Sequence, residues 1–250
     1  MHLTRGRYTI MKLPTELVLL RHGQSEGNIA SRASRDGDHS HYTPEFRSQS
    51  SMFWRLTPTG RKQAEHARDW MKRNQLTDFD LNVHSDMTRA IETAHIAAPG
   101  INFCGTSLVR ERSWGVLDTL PHNEKHLYPG SNLLLRDKDP LSWHPPGGET
   151  MWQVMERVRR FLNNLSLFSS EYRTVRVVCH GEVMWAFRYI LEHMSPQEYR
   201  LMYNSEKSEH IMYNCHLLHY KDNHQGSYRS MYSVCTYKPE RYESGWLSIN

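Results

Sequence analysis

The sequence predicts a three-layer α/β fold, a mostly parallel sheet covered by helices on both faces. Two observations carry that expectation. Short apolar runs, L-V-L-L at 17–20 and T-V-R-V-V-C at 174–179, read as strands buried on both sides, as parallel strands are. Between and after them lie longer segments whose apolar residues recur at helical spacing. Ala64, Ala67, Trp70 and Met71 form one such stripe, and Val154, Val158, Phe161 and Leu165 another. Both apolar runs end in histidine followed by glycine, His22-Gly23 and His180-Gly181. Ligands of open α/β sheets sit beyond the carboxyl ends of the strands, so both histidines are expected at one mouth.

Taken in order, the first strand delivers Arg21 and His22, and Gly23 lets the backbone turn sharply behind them. An arginine can grip a phosphate through its planar fork of donors, and a neutral imidazole can attack phosphorus. By themselves these three residues fit equally well a buried strand that happens to end in Arg-His. Residues 29–55 are polar, with Gly37, Pro44 and several serines, and read as an irregular surface excursion with one helical turn. It carries Arg32, Arg35, Arg47 and Arg55. Each alone reads as solvated, but the loop as a whole is placed to share in substrate selection. Thr57-Pro58 caps and opens a helix. Leu81–Ser85 reads as a second strand, and Met87–Ala98 as a helix with Arg89 in its first turn. Ile101–Phe103 reads as a short strand, and residues 108–112 then bring Glu111 onto a loop closed by Trp114-Gly115.

Residues 118–146 are loop-rich. Glu149 and Thr150 start a long helix reaching about Phe168 and receive no chemical role. After the 174–179 strand, Glu182–His193 is helical, and Ser195-Pro196-Gln197-Glu198 is a capping box for another helix. Asn214–Tyr220 reads as a strand, with Ser233–Tyr237 paired to it at the sheet edge. Residues 1–10 are expected to be a tail, with Met11 an alternative start. Residues 11–238 are expected to form one domain, and 239–250 a second tail.

Composition narrows the function classes. With 250 residues the chain can bury one substantial core, and its mean hydropathy of −0.72 describes a polar surface. No apolar run approaches the ~18 residues that would span a bilayer, and the N-terminus has no apolar signal region. The four cysteines are widely spaced and form no C-x-x-C pair, which suits the reducing cytoplasm. The net charge of +4 is scattered, which points to a small anionic substrate in a local basic pocket before nucleic acid. Sixteen histidines raise the question of a metal. The close pairs 39/41, 122/126 and 216/219 lack zinc-ligand spacing, so no metal and no cofactor is expected.

Six blocks in one order raise the two histidines from a coincidence to a site. They are R-H-G-Q-S-E-G-N at 21–28, L-T-P-T-G at 56–60, S-D-M-T-R-A-I-E-T-A at 85–94, R-E-R-S-W-G at 110–115, P-G-G-E-T at 146–150 and C-H-G at 179–181. With them the chain resembles the histidine phosphatase superfamily, the group of cofactor-dependent phosphoglycerate mutases, fructose-2,6-bisphosphatases and broad phosphatases. The resemblance implies phosphoryl transfer through a phosphohistidine on His22. Arg21, Arg89 and His180 would hold the phosphoryl oxygens, assisted by Asn28, and Glu111 would be the proton donor. It implies a phosphomonoesterase for a small phosphorylated metabolite. Two other readings stay open, a phosphoglycerate mutase and a non-catalytic phosphate-binding scaffold. Gln24 and Gly27 depart from the mutase opening R-H-G-E-S-x-W-N, while retention of His22, Arg89, Glu111 and His180 argues against a scaffold. The sequence leaves the oligomeric state open.

Overall fold

The computed structural model describes residues 12–222 and 228–249. The expected tail at 1–10 and the alternative start at Met11 lie outside them. In chain order, β1 (Glu16–Arg21) is followed by α1 (Glu26–Arg35), α2 (Pro44–Ser48) and α3 (Pro58–Arg73). Next come β2 (Leu81–Ser85), α4 (Thr88–Ala97), β3 (Cys104–Thr106), α5 (His122–Leu127) and α6 (Leu133–Lys138). The second half holds α7 (Met151–Leu167), β4 (Thr174–Cys179), α8 (Gly181–Leu191) and α9 (Pro196–Tyr203). The chain closes with β5 (His216–Asp222), β6 (Tyr228–Cys235) and β7 (Glu243–Ser248).

Among the described residues these strands form one sheet in the order β3-β2-β4-β1-β5-β6-β7. β3, β2, β4 and β1 are mutually parallel, and β5, β6 and β7 extend this parallel core with antiparallel pairings. Alternation along β1 divides its apolar run between two cores. Leu17 and Leu19 pack with Val154, Val158 and Phe161 of α7 and Val183 and Phe187 of α8. Val18 and Leu20 pack with Ala64, Ala67, Trp70 and Met71 of α3 and Ala90 and Ala94 of α4. Both helical stripes read from the sequence therefore cover the sheet, one on each face, and the three-layer α/β expectation holds.

The register positions the site. β1 and β4 pair in parallel with Leu17 opposite Val175 and Arg21 opposite Cys179, and the His22 N–H donates to the Cys179 carbonyl at 3.0 Å. The two His-Gly endings thus emerge side by side.

Three expectations are corrected. The 29–55 stretch opens within α1 and is not simply an irregular excursion. Ser25 and Asn28 form a reciprocal capping box, Glu26 lies in the first turn and Arg32 and Arg35 in the last, all suited to the helix dipole. The helix buries only Gly27, Ala30 and Ser34, so it lacks the apolar stripe that marks a helix in sequence. The third strand is Cys104–Thr106 rather than 101–103, because pairing to β2 runs Val83 to Cys104 and Ser85 to Thr106. Residues 239–249 are not a tail. After a 3-10 turn at Pro239–Arg241, β7 pairs antiparallel with β6, Met231 opposite Leu247 and Tyr232 opposite Trp246. β7 is mostly exposed, so its polarity reflects an edge strand rather than disorder.

Candidate active site

The cavity at the carboxyl ends of β1, β2 and β4 measures about 370 Å³, and Arg21, His22, Asn28, Arg89 and Glu111 all line it. His180 stands beside them, its ring centroid 5.0 Å from that of His22 in an edge-on contact. Every site residue expected from the sequence is thus brought to one place.

His22 is 2% exposed, and its Nδ1 lies 2.7 Å from the Gly23 carbonyl oxygen. A carbonyl only accepts, so Nδ1 carries the proton and Nε2 presents its lone pair. The Arg89 Nε–H donates to that lone pair at 3.3 Å. Burial, and then the charges of Arg89 and Arg21, hold the imidazole well below its ordinary pKa. His22 is therefore neutral, with Nε2 unprotonated.

Local structure holds this arrangement. The Thr93 hydroxyl donates to the Arg89 carbonyl at 2.7 Å and accepts from the Gly23 N–H at 3.0 Å, joining α4 to the turn after His22. The Gln24 N–H donates to Gln63 Oε1 of α3 at 2.8 Å. A Cβ on Gly60 would stand 2.0 Å from the Gln24 carbonyl oxygen, and one on Gly23 2.4 Å from that of Gly60. Two glycines are thus needed where α3 meets the turn after His22.

Arg89 is buried in α4, where it also donates to the Ser51 carbonyl at 2.7 Å. Arg21 donates to the Met212 carbonyl, while its buried Nε has no protein partner. His180 is fully buried, and burial followed by the charge of Arg89 lowers its pKa well below the ordinary value. Its Nε2 lies 2.8 Å from Ser85 Oγ, which accepts from the Met87 N–H at 3.3 Å. A serine hydroxyl can donate while it accepts, so its proton is able to turn to Nε2. His180 Nδ1, buried and without a protein partner, is then left as an N–H donor. Asn28 Oδ1 accepts from the Ser25 N–H at 3.1 Å and from Asn214 Nδ2 at 3.0 Å, leaving its own NH₂ to serve the cavity.

Glu111 shows the opposite electrostatics. Burial, and then the nearby Glu182 carboxylate, push its pKa up to about 7, against the pull of Arg89, Arg21 and the Arg112 N–H. Glu182 accepts from Arg112 Nη1 at 3.1 Å, Trp114 Nε1 at 2.9 Å and the Tyr203 hydroxyl at 3.1 Å. The loop bearing Glu111 is clamped by Arg157, which donates to the Leu108 carbonyl at 3.1 Å and the Glu111 carbonyl at 3.3 Å. Arg157 in turn pairs with Glu149 at 2.9 Å. Glu149 and Thr150 hold structure, Thr150 by capping α7.

Sequence reasoning passed over Ser85, Thr93, Arg112 and Glu182. The first three stand inside the quoted blocks and Glu182 immediately follows the last, so block membership was the available signal. Cys179, beside Arg21, is no competing nucleophile, because burial pushes its thiol pKa up. Among the described residues no group of three or more His, Cys, Asp or Glu side chains is placed to hold a metal ion. No described helix is long and apolar enough to cross a membrane.

Fold and site residues define a class. Residues 17–212 match the family model of the histidine phosphatase superfamily, branch 1, and the chain belongs to that superfamily. It is similar to the 2,3-bisphosphoglycerate-dependent phosphoglycerate mutase of Cytophaga hutchinsonii, 28% identical over 190 residues covering 73% of this chain and 79% of the relative. Its fold is similar to that of the mycobacterial glucosyl-3-phosphoglycerate phosphatase complexed with VO3. That match has a TM-score of 0.66 at 24% identity, over 86% of this chain and 95% of the other. The α-ribazole phosphatase of Shigella flexneri matches with a TM-score of 0.65 at 20% identity, over 85% and 93% of the two chains.

Proposed function

We propose that the protein is a phosphomonoesterase that hydrolyses a small phosphorylated metabolite through a phosphohistidine on His22. The state of His22 carries this reading: a neutral imidazole, its proton fixed on Nδ1 by Gly23 and its Nε2 lone pair facing a guanidinium. Nε2 attacks phosphorus in line with the leaving oxygen, forming the N–P bond as the P–O bond breaks. Arg21, Arg89 and the His180 Nδ1–H hold the equatorial oxygens, with Asn28 assisting, and Arg89 Nε exchanges His22 for a phosphoryl oxygen. Glu111, protonated over much of the range below pH 7, gives its proton to the leaving oxygen. As a carboxylate it then takes a proton from water, which attacks phospho-His22 and releases phosphate.

The relative from Cytophaga hutchinsonii favours a second reading, mutase-type transfer. Gly27 speaks against a mutase-like wall at this point. A Cβ there would stand 2.1 Å from the ring of Trp54, which lines the cavity in its place and stacks on Phe46 at 4.9 Å. All four cysteines are free, which supports a cytoplasmic setting. Phosphate release across a panel of phosphorylated metabolites, with isomer analysis of phosphoglycerate run alongside, tests the assignment. Isomerisation without phosphate release would replace it with the mutase reading.

A further inference from the structure

Among the described residues three carboxyl side chains line the cavity, Glu111, Glu182 and Asp118. Glu111 is the proposed acid, and three donors hold Glu182. Asp118 has no such part, yet a carboxylate beside the place of a phosphate ester opposes the substrate's charge. Its contacts give it a task. Asp118 follows the 3-10 turn Gly115–Leu117, and its Oδ2 accepts from the hydroxyl of Ser51. The carbonyl of that same Ser51 accepts from Arg89 Nη1 at 2.7 Å. One residue therefore joins Asp118 to the guanidinium that faces His22.

Arg89 depends on this link more than on its other contacts. Its Nε–H reaches His22 Nε2 at 3.3 Å, a place that a phosphoryl oxygen would take. Its Nη2 lies 3.3 Å from Met87 Sδ, and a thioether is a weak acceptor. The Ser51 carbonyl is thus the strong fixed partner. Because a guanidinium is planar, a bond at Nη1 sets how the Nε edge is presented. Ser51 itself stands in a thinly held segment. Neither α2 nor the 3-10 turn Ser51–Phe53 buries a residue. Beyond the turn, Trp54 is buried and stacks on Phe46. Before it, Arg47 and Glu124 form an ion pair open to solvent, a contact of little strength. Between these two points the Ser51–Asp118 bond ties the turn to the cavity wall. Burial raises the pKa of Asp118, while the Ser51 hydroxyl and the charges of Arg89 and Lys125 favour the carboxylate.

We propose that Asp118 is a positioning residue for Arg89: by holding the Ser51 hydroxyl it fixes the Ser51 carbonyl, which aims the guanidinium at the transferred phosphoryl group. This rests on the phosphatase reading for the role of Arg89 and adds what keeps Arg89 in place. The competing role for Asp118 is to offset the charge of Lys125, which it faces. The two roles predict opposite signs.

The test is calorimetric titration of the full chain with inorganic phosphate, alongside steady-state turnover of one aryl and one alkyl phosphate. Ser51→Ala removes the hydroxyl and leaves every charge in place. It should weaken phosphate binding several-fold and lower kcat/KM roughly 10- to 100-fold, the scale of a misplaced binding group. Both substrates should lose equally, since Arg89 serves the phosphoryl group rather than the leaving oxygen. Asp118→Ala should behave in the same way, and joining it to Ser51→Ala should cost no more than Asp118→Ala alone. Asp118→Asn, whose amide oxygen still accepts from Ser51, should recover most of the loss. A residue acting only through its charge would give tighter phosphate binding in Asp118→Ala and no change in Ser51→Ala; either result overturns the proposal. Unequal losses on the two substrates, or a wild-type chain that binds no phosphate, overturn it as well. Circular dichroism checks folding, and if Asp118→Ala does not fold, Ser51→Ala decides alone. A wild-type chain that hydrolyses no phosphomonoester removes the phosphatase reading, and the phosphate affinity of Ser51→Ala then judges the link to Arg89 by itself.

Discussion

His22 is buried and Glu111 partly buried, and the loss of solvent favours the neutral form of each. In the proposed mechanism the unprotonated imidazole is the nucleophile and the protonated carboxyl is the acid. His22→Ala should abolish turnover yet still bind inorganic phosphate, since Arg21, Arg89 and His180 remain. Quenched wild-type reactions should contain an acid-labile, base-stable phosphoryl group; near-normal turnover by His22→Ala would remove the central assignment. Arg89→Lys should lower kcat for every substrate, because one ammonium nitrogen cannot span the two places that Arg89 reaches from separate nitrogens, Nε at His22 and Nη1 at the Ser51 carbonyl. Glu111→Gln should slow phosphorylation by alkyl phosphates roughly 10²–10⁴-fold, whereas a nitrophenolate leaves unprotonated and should be affected much less. Rapid-quench kinetics with one alkyl and one aryl phosphate makes the comparison, and equal losses would place the proton donor elsewhere. The same carboxyl links stability to pH. Its pKa rises from the ordinary 4.5 to about 7 on folding, so the native state binds the extra proton between those values. Wild-type stability relative to Glu111→Gln should therefore fall as pH rises from about 4.5 to 7 and level off above. His22 and His180, shifted downward, contribute with the opposite sign in both proteins and cancel in the difference.

At the scale of elements, the site depends on how closely α3 approaches the turn after β1. Thr57 caps α3 by accepting from the Gly60 N–H at 3.0 Å and donates to Gln24 Oε1 at 2.9 Å, so one helix end serves as a backstop for the loop after His22. Gly60→Ala places a methyl against the Gln24 carbonyl, and relief must come from movement of backbone on one side. The expected cost is about 1–3 kcal/mol, with kcat reduced as well, since Gln24 and Gly23 carry the shift to His22. Urea denaturation alongside steady-state kinetics checks this; a stable, fully active Gly60→Ala would show that the contact is loose. α7 does a parallel service on the other face, where Arg157 reaches from a helix in the core to the two carbonyls flanking the Glu111 loop.

The whole molecule separates chemistry from its edges. The groups assigned to the proposed chemistry stand at the centre of the sheet, at the ends of β1 and β4 and on the α4 that follows β2, while β7 lies three places from β1. Ending the chain after Tyr242 should lower Tm and promote concentration-dependent association, because β6 would expose an unpaired row of N–H and C=O groups. kcat with an aryl phosphate should survive. Thermal melting, size-exclusion chromatography and turnover on the same sample decide, and lost turnover in a folded truncated chain would mean that β7 supports the site from a distance.

What the sequence determined by itself is local. Apolar runs ending in Arg-His-Gly and Cys-His-Gly specify strands and what stands at their ends, because alternation and abrupt polarity changes need no knowledge of partners. The stripes of α3 and α7 and the caps at Thr57 and Ser195 are legible for the same reason. α1 escaped because its buried face consists of Gly27, Ala30 and Ser34, and β7 because an exposed edge strand has no hydrophobic pattern to show. The roles of Glu182, Thr93 and Ser85 were decided only by tertiary structure. Each acts through a group brought near by sheet register: Ser85 meets His180 across 95 positions, Thr93 meets Gly23 across 70, and Arg112 meets Glu182 across 70. A side chain's charge is written in the sequence, but its pKa and partner depend on what the fold packs around it, and no local pattern records that.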